Sequence, residues 1–325
     1  MGTSVVKFSQ GENSQASWGV LNGENISPLN IAVEHHTDLM DCYFNDRARF
    51  DAAIEAKEIP QKDVTFVSPI SRSVQLFAQG LNYVDHRAES GLEIDAEKEE
   101  NLMFAKAPSS ICGPNDNILR PVDCELLDYE IELGIVLKKG IHKPTKVTDD
   151  NIAEYIGGLF LCNDVSSRDC MFGAPMLQWY RGKSHRTFCP IGPVLYLLEE
   201  GDSKQLYNLE LTLKMNGKVK QNASTELLIH KPPKALTDLS QYTDVNEGDC
   251  ILTGTPGGVI GGHSLKTVLA ILVNFKKDKK RKDKFRAAQK AIGTFLQPGD
   301  FLELEIKSKD GSINLGKQKN MIAEA

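Results

Sequence analysis

The chain has 325 residues, 41% of them hydrophobic and 25% charged, with a formal net charge of -6. This is an ordinary globular composition, long enough for one large domain or a small one beside a larger one. The acidic balance argues against nucleic acid as the main partner. The longest apolar run, "VLAILV" at 268–273, is far too short to span a bilayer, so no membrane partner is expected.

Residues 1–75 read as a small N-terminal α/β domain. "SVVKFSQ" and "ASWGVLNGENISPL" form a predicted hairpin that turns at "NGEN". "DRARFDAAIEAK" is a predicted helix with Asp46 as a plausible cap, and "IPQKDVTFVSPIS" returns to extended chain. A larger unit, residues 76–325, is mostly β with α+β elements. Its predicted strands include "YEIELGIVL", "YIGGLFLCNDVS", "IGPVLYL", "LELTLKMNGKV" and "DCILTGT". Asn216-Gly217 marks a second hairpin turn. Residues 259–292 are helix-permissive, and the tail "LQPGDFLELEIKSKDGSINLGKQKNMI" is again β.

Seven cysteines stand singly, without a CxxC pair, which suits a reducing compartment, read here as the cytoplasm. No basic-then-apolar run opens the sequence, so no signal peptide is expected.

The stretch "LLDYEIELGIV" carries Glu130 and Glu132 two residues apart. On a strand both carboxylates face one way while Ile131, Leu133 and Ile135 face the other. Glu303 and Glu305 in "LELEI" repeat the pattern, and there it reads as a solvated strand face. What separates the pairs is Asp164, at the end of the apolar run "GGLFLCND". Three converging carboxylates without nitrogen or sulfur ligands suit a hard divalent cation, Mg²⁺ or Mn²⁺ first and Ca²⁺ as a leaner fit. Such a cation offsets the repulsion between the glutamates.

With these residues the sequence resembles the fumarylacetoacetate hydrolase family, from about residue 78 to 258 and again from about 296. The matching pieces are "GLNYVDHRAESG", "PSSICGPNDNI", "DYEIELGIVLKKG", "GGLFLCNDVSSRD", "RGKSHRTFCPIGPVL", "LTGTPGGV" and "LQPGDFLELEI". The resemblance implies a mixed β-roll assembled as a homodimer, and it places metal ligands at Glu130, Glu132 and Asp164. It assigns His86 and Glu89 to a mobile lid as a water-activating pair, and Lys183 to the charge developing on substrate oxygen. Arg168, Thr255 and Tyr83 fall at substrate-contacting positions. The implied reaction is hydrolysis of a carbon–carbon bond in an acylpyruvate-like 2,4-dioxo acid. Isomerisation or decarboxylation through an enolate is the alternative.

Two departures stand out. Many relatives carry a glutamine where this chain has Met171, and Gln178 is the candidate replacement. The segment "CMFGAPMLQWY" is more apolar than a polar diacid would suit. Residues 259–292 look like an insertion. Their basic run "KKDKKRKDK" suggests a competing, non-enzymatic role in binding an anionic partner. Interrupting acids and the negative net charge favour instead a solvated basic half and a packed apolar half. Asp169 is expected to be structural, as a helix cap or an arginine partner.

Overall fold

The computed structural model of the protein describes residues 2–11, 14–91, 100–174, 176–262, 265–274 and 276–325. Its centre is the strand Ile131–Leu137, paired antiparallel with Ile156–Asn163 on one side and Cys250–Leu252 on the other. All seven of its residues are buried. A central strand of this kind reads as a near-continuous apolar run, so the one carboxylate within it has to be explained by the site.

The large sheet continues through Leu76–Gly80 to Leu102–Lys106 at one end. At the other it runs through Cys189–Leu197 to Thr3–Ser9, Ser17–Asn22 and Asn25–Pro28. Val5 faces Leu195 across the junction, so the N-terminal strands extend the same sheet. A second sheet is built from Lys218–Ser224, Leu209–Met215, Phe301–Ser308, Asn314–Glu324 and Ile118–Arg120.

The main core is the contact between the two sheets. Ile131, Leu133 and Ile135 meet Leu211, Leu304 and Ile306 there. Each such side chain contributes roughly 1.5–3 kcal/mol of burial. On the opposite face of the large sheet, Val136, Phe160 and Leu195 pack against Leu39, Met40 and Phe50. Those three come from the helices His36–Asn45 and Arg47–Ala53.

This is the mostly β architecture with α+β elements that the sequence predicts. Both hairpin turns form: Leu21 pairs with Ile26 around Gly23, and Asn216 and Gly217 both take positive φ, 50° and 75°. Asp46 does cap its helix, accepting from the Arg49 N–H, but the helix ends at Ala53. Ile54 instead forms an isolated antiparallel bridge with Leu29. The helix His36–Asn45 has no strong sequence signal; burial of Leu39, Met40 and Tyr43 rather than capping holds it. The helix-permissive stretch becomes two helices, Leu265–Val273 and Asp278–Lys290. Its residues 263, 264 and 275 lie outside those described. No described helix is long and apolar enough to cross a membrane. All seven cysteines are free, and all but Cys170 are buried.

Candidate metal centre and active site

Sheet pairing brings the three acids together. Glu130 immediately precedes the central strand, Glu132 lies within it, and Asp164 immediately follows its neighbour. The Asp164 N–H donates to the Glu130 carbonyl at 2.8 Å, and the Glu130 N–H donates to Asn163 Oδ1 at 3.0 Å. One oxygen from each of Glu130, Glu132 and Asp164 lies within 4.8 Å of the other two, and all three residues are buried.

The charges around them are unevenly shared. Lys183 Nζ donates to Glu130 Oε2 at 2.8 Å and to Asp164 Oδ2 at 2.5 Å. Lys106 Nζ donates to Asp164 Oδ1 at 2.5 Å and to the Phe188 carbonyl at 3.1 Å. Arg168 reaches Glu130 Oε1 at 2.7 Å and Asp128 Oδ2 at 2.8 Å. Burial would raise the Glu130 carboxyl, but Lys183 and Arg168, helped by His86, pull it down to about 2. Burial also works against the Lys183 ammonium, and Asp164 and Glu130 outweigh it, so its pKa rises.

Glu132 is different. Its Oε2 accepts the Gly254 N–H at 2.7 Å, while its Oε1 is buried with no hydrogen-bond partner among the described residues. Burial first, then Asp164 and Glu130, push its carboxyl well above the usual range. An orphaned buried carboxylate oxygen beside two further acids is a poor arrangement by itself. It is a good one for a hard cation, and an all-oxygen donor set is the chemistry Mg²⁺ or Mn²⁺ accepts. The residues present therefore fit such an ion.

A cavity of about 380 Å³ opens over this cluster, lined by Glu130, Arg168 and Lys183 among others. His86, on the short helix Val84–Glu89, also lines it. Its Nδ1 is 3.8 Å from Glu89 Oε2, an electrostatic contact too long for a hydrogen bond. His86 lowers the Glu89 carboxyl, partial burial opposes this, and the Gly258 N–H lowers it further. That N–H lies 3.1 Å from each Glu89 oxygen, which ties the helix to the loop beyond Thr255.

The other sequence candidates fall at different depths. Thr255 lines the cavity, but its hydroxyl donates to the Ile131 carbonyl at 2.9 Å and accepts from Gln221 at 2.8 Å. Tyr83 is fully buried, and its hydroxyl has no partner among the described residues. Burial, with Glu132 next, raises its phenol. Gln178 is exposed, its side-chain amide directed to the Leu177 carbonyl, whereas Met171 is fully buried and lines the cavity. Asp169 is an arginine partner, but its partner is Arg286 of the second insertion helix, at 2.7 Å.

The family model described as "Fumarylacetoacetate (FAA) hydrolase C-terminal" matches residues 75–323. The chain belongs to the fumarylacetoacetate hydrolase family. A mitochondrial oxaloacetate tautomerase of Bos taurus is 36% identical over 208 residues, 64% of this chain and 63% of the relative. The matched stretch thus spans less than two thirds of that relative's length. A 2,4-didehydro-3-deoxy-L-rhamnonate hydrolase of Sphingomonas is 32% identical over 258 residues, 79% of this chain and 75% of the relative. The fumarylacetoacetate hydrolase of Exiguobacterium antarcticum superimposes with a TM-score of 0.74 at 25% identity, covering 99% of this chain and 100% of that one.

Sequence reasoning missed two residues of this family member's site. Lys106 ends the strand Leu102–Lys106, which is too short to stand out, and a lysine closing an apolar run before Ala107-Pro108 was the available signal. Asp128 accepts from Arg168 Nε at 2.8 Å and from the Ile260 and Gly261 N–H groups at 3.0 and 2.9 Å. It thereby fixes the start of the insertion against the site. Its signal was in plain view: Asp128, Glu130 and Glu132 recur at a spacing of two.

Proposed function

We propose that this chain is a divalent-metal-dependent hydrolase that cleaves the carbon–carbon bond of an acylpyruvate or related 2,4-dioxo acid. The observation that carries this reading is the orphaned Glu132 oxygen beside Glu130 and Asp164, under a cavity that His86 and Lys183 also line.

Glu130, Glu132 and Asp164 would hold Mg²⁺ or Mn²⁺. When bound, the ion supplies Lewis acidity and a template for the 2-oxo and carboxylate oxygens. With Nδ1 facing Glu89, His86 keeps Nε2 for a water, and Glu89 stabilises the imidazolium that forms as the proton is taken. The hydroxide attacks the distal carbonyl, and the bond to C3 breaks. Its electron pair passes into the enolate of pyruvate, which regains a proton; the other product is a carboxylic acid. An ammonium has three protons, and Lys183 uses two on Glu130 and Asp164, leaving one for the oxyanion. Arg168 positions Glu130 rather than substrate. We also read the protein as a homodimer in a reducing compartment, the cytoplasm, acting on a small 2-oxo acid without nucleic acid or membrane partners.

The similarity to an oxaloacetate tautomerase favours a second reading, in which His86 moves one proton between C3 and the 2-oxo oxygen and no carbon–carbon bond breaks. Product analysis separates the two. Acylpyruvates and oxaloacetate are each incubated with Mg²⁺ and with Mn²⁺, and pyruvate release and enol absorbance are followed. Metal-dependent release of pyruvate and the matching carboxylic acid from an acylpyruvate, falling in His86→Ala, supports hydrolysis; pyruvate from oxaloacetate reports decarboxylation instead. Enol–keto interconversion without release would replace it with the tautomerase. An unchanged hydrolytic rate in His86→Ala would end the role given to the His86–Glu89 pair.

A further inference from the structure

We infer that the insertion helices Leu265–Val273 and Asp278–Lys290 build a subsite for an apolar acyl chain, so that this enzyme prefers 2-oxo acids with a long or aromatic distal group over short or dicarboxylic ones. This rests on the hydrolase reading for the reaction, but not for the binding.

The cavity has two unlike parts. Glu130, Arg168 and Lys183 form a charged floor. The wall beside it, which begins at Phe104 with its ring centroid 5.2 Å from Lys183 Nζ, is a run of aromatic and aliphatic groups. Phe104 and Trp179 have ring centroids 5.1 Å apart, Trp179 and Phe172 6.2 Å, and Phe172 and Phe285 6.3 Å. Phe285 belongs to the second insertion helix, and Ile271 and Leu272 of the first line the same cavity. At about 380 Å³ the space is in the range, roughly 300–1,000 Å³, that takes a ligand larger than a three-carbon acid.

The wall is held in place. Arg286 grips Asp169 at 2.7 Å and Glu125 at 2.6 Å, and Lys290 reaches Glu125 at 2.6 Å. Arg281 Nε donates to the Gly173 carbonyl at 3.0 Å. Because Asp169 adjoins Arg168, the wall is registered directly to the floor.

Among its described residues the wall also offers no charged partner for a second carboxylate. Its polar groups, Thr267 and Gln289, are bonded to each other at 3.0 Å, and Gln289 further engages both backbone groups of Gly262. Among the described lining residues the charged basic side chains are Arg168 and Lys183, and both are already paired with carboxylates. An apolar chain is the group such a wall desolvates favourably.

Leu272 allows a clean test, since it lines the cavity yet is 64% exposed, so its replacement leaves the core intact. Trp179 lies in the wall and Trp18 is buried in the N-terminal strand Ser17–Asn22, so ligand-dependent change in tryptophan emission reports the cavity. The full chain is titrated in Mg²⁺ with straight-chain 2-oxo acids from pyruvate to 2-oxodecanoate, and with oxaloacetate. Kd is expected to fall roughly threefold to fourfold per methylene up to the length the cavity holds, with oxaloacetate no tighter than pyruvate. In Leu272→Asn the chain-length gain flattens, and Ile271→Ser repeats the loss in part. A flat series in the wild type, or preference for oxaloacetate, overturns the subsite. Turnover of the matching acylpyruvates tests the other reading: chain-length-dependent binding without pyruvate release sinks the hydrolase and leaves the subsite standing, while release with no chain-length preference does the reverse.

Discussion

Glu130 with Glu132 and Glu303 with Glu305 have the same spacing, and the intervening residues of both pairs feed one core, with Ile131 and Leu133 packed in the same cluster as Leu304 and Ile306. Their surroundings differ completely. The strand Phe301–Ser308 presents its glutamates to partly solvated neighbours: Glu303 lies opposite Lys319, Glu305 lies opposite Lys317, and the Lys317–Glu305 contact is 3.6 Å with the lysine 64% exposed. Glu130 and Glu132 are buried and meet Asp164 as well as Lys183. Alternation places a pair on one face; what the neighbouring segments put opposite that face decides whether it is a solvated surface or a site.

The largest expected break in this contrast is chemical. Glu132→Gln should lower turnover roughly a thousandfold, since a metal's contribution is several kcal/mol, whereas Glu303→Gln should leave it unchanged. The same pair of variants can be compared by thermal melts with and without Mg²⁺. A metal held at 100 times its Kd stabilises by about 2.7 kcal/mol, and that gain should vanish in Glu132→Gln alone. Equal metal-induced shifts in both variants would remove Glu132 from the ligand set.

Next in size is Lys106→Met. It leaves Asp164 with one cation instead of two in a fully buried setting, and breaking such a pair costs about 3–5 kcal/mol. Urea unfolding should show it, and the residual activity should fall roughly 10–100-fold through misplacement of Asp164.

Acid effects on the two pairs need a reference, and His36 supplies it. Its Nδ1 accepts from the Ser71 N–H at 3.2 Å and its Nε2 lies 3.0 Å from the Gly248 carbonyl, so it is held neutral. Burial, against the Gly248 bond, lowers its pKa from 6.5 to about 4. The unfolded chain then binds the proton more readily than the folded one. Stability is therefore fully present above pH 6.5 and is lost as pH falls toward 4, by about 3 kcal/mol. His36→Gln should flatten that part of the pH–stability curve; an unchanged slope would place the titrating group elsewhere.

The smallest effect belongs to the solvated pair. Lys317→Ala removes the partly exposed contact to Glu305 and should shift stability by no more than about 0.5 kcal/mol in a denaturant titration.

Much of this contrast was legible in the residues. The strand runs, both hairpin turns and the Asp46 cap follow from side-chain shape and turn chemistry, which act over a few residues. Asp164 stood out as a third acid at the end of an apolar run, whereas Lys183 stood out only through the resemblance, because nothing local distinguishes a lysine after a glycine. Lys106 escaped because its strand is five residues long and its partner, Asp164, is 58 residues away. The helix His36–Asn45 escaped because packing, not propensity, stabilises it.

By itself, then, the sequence determined the alternation that turns Glu130 and Glu132 to one face, the acids available for a cation and the helix-permissive character of 259–292. Only the tertiary structure decided that the Asp164 N–H meets the Glu130 carbonyl, that Glu132 keeps an unpartnered oxygen, and that the insertion folds back as an apolar wall over the same cavity. The reason is range: alternation and capping act between near neighbours, while desolvation and charge pairing depend on which distant segments the sheets bring together.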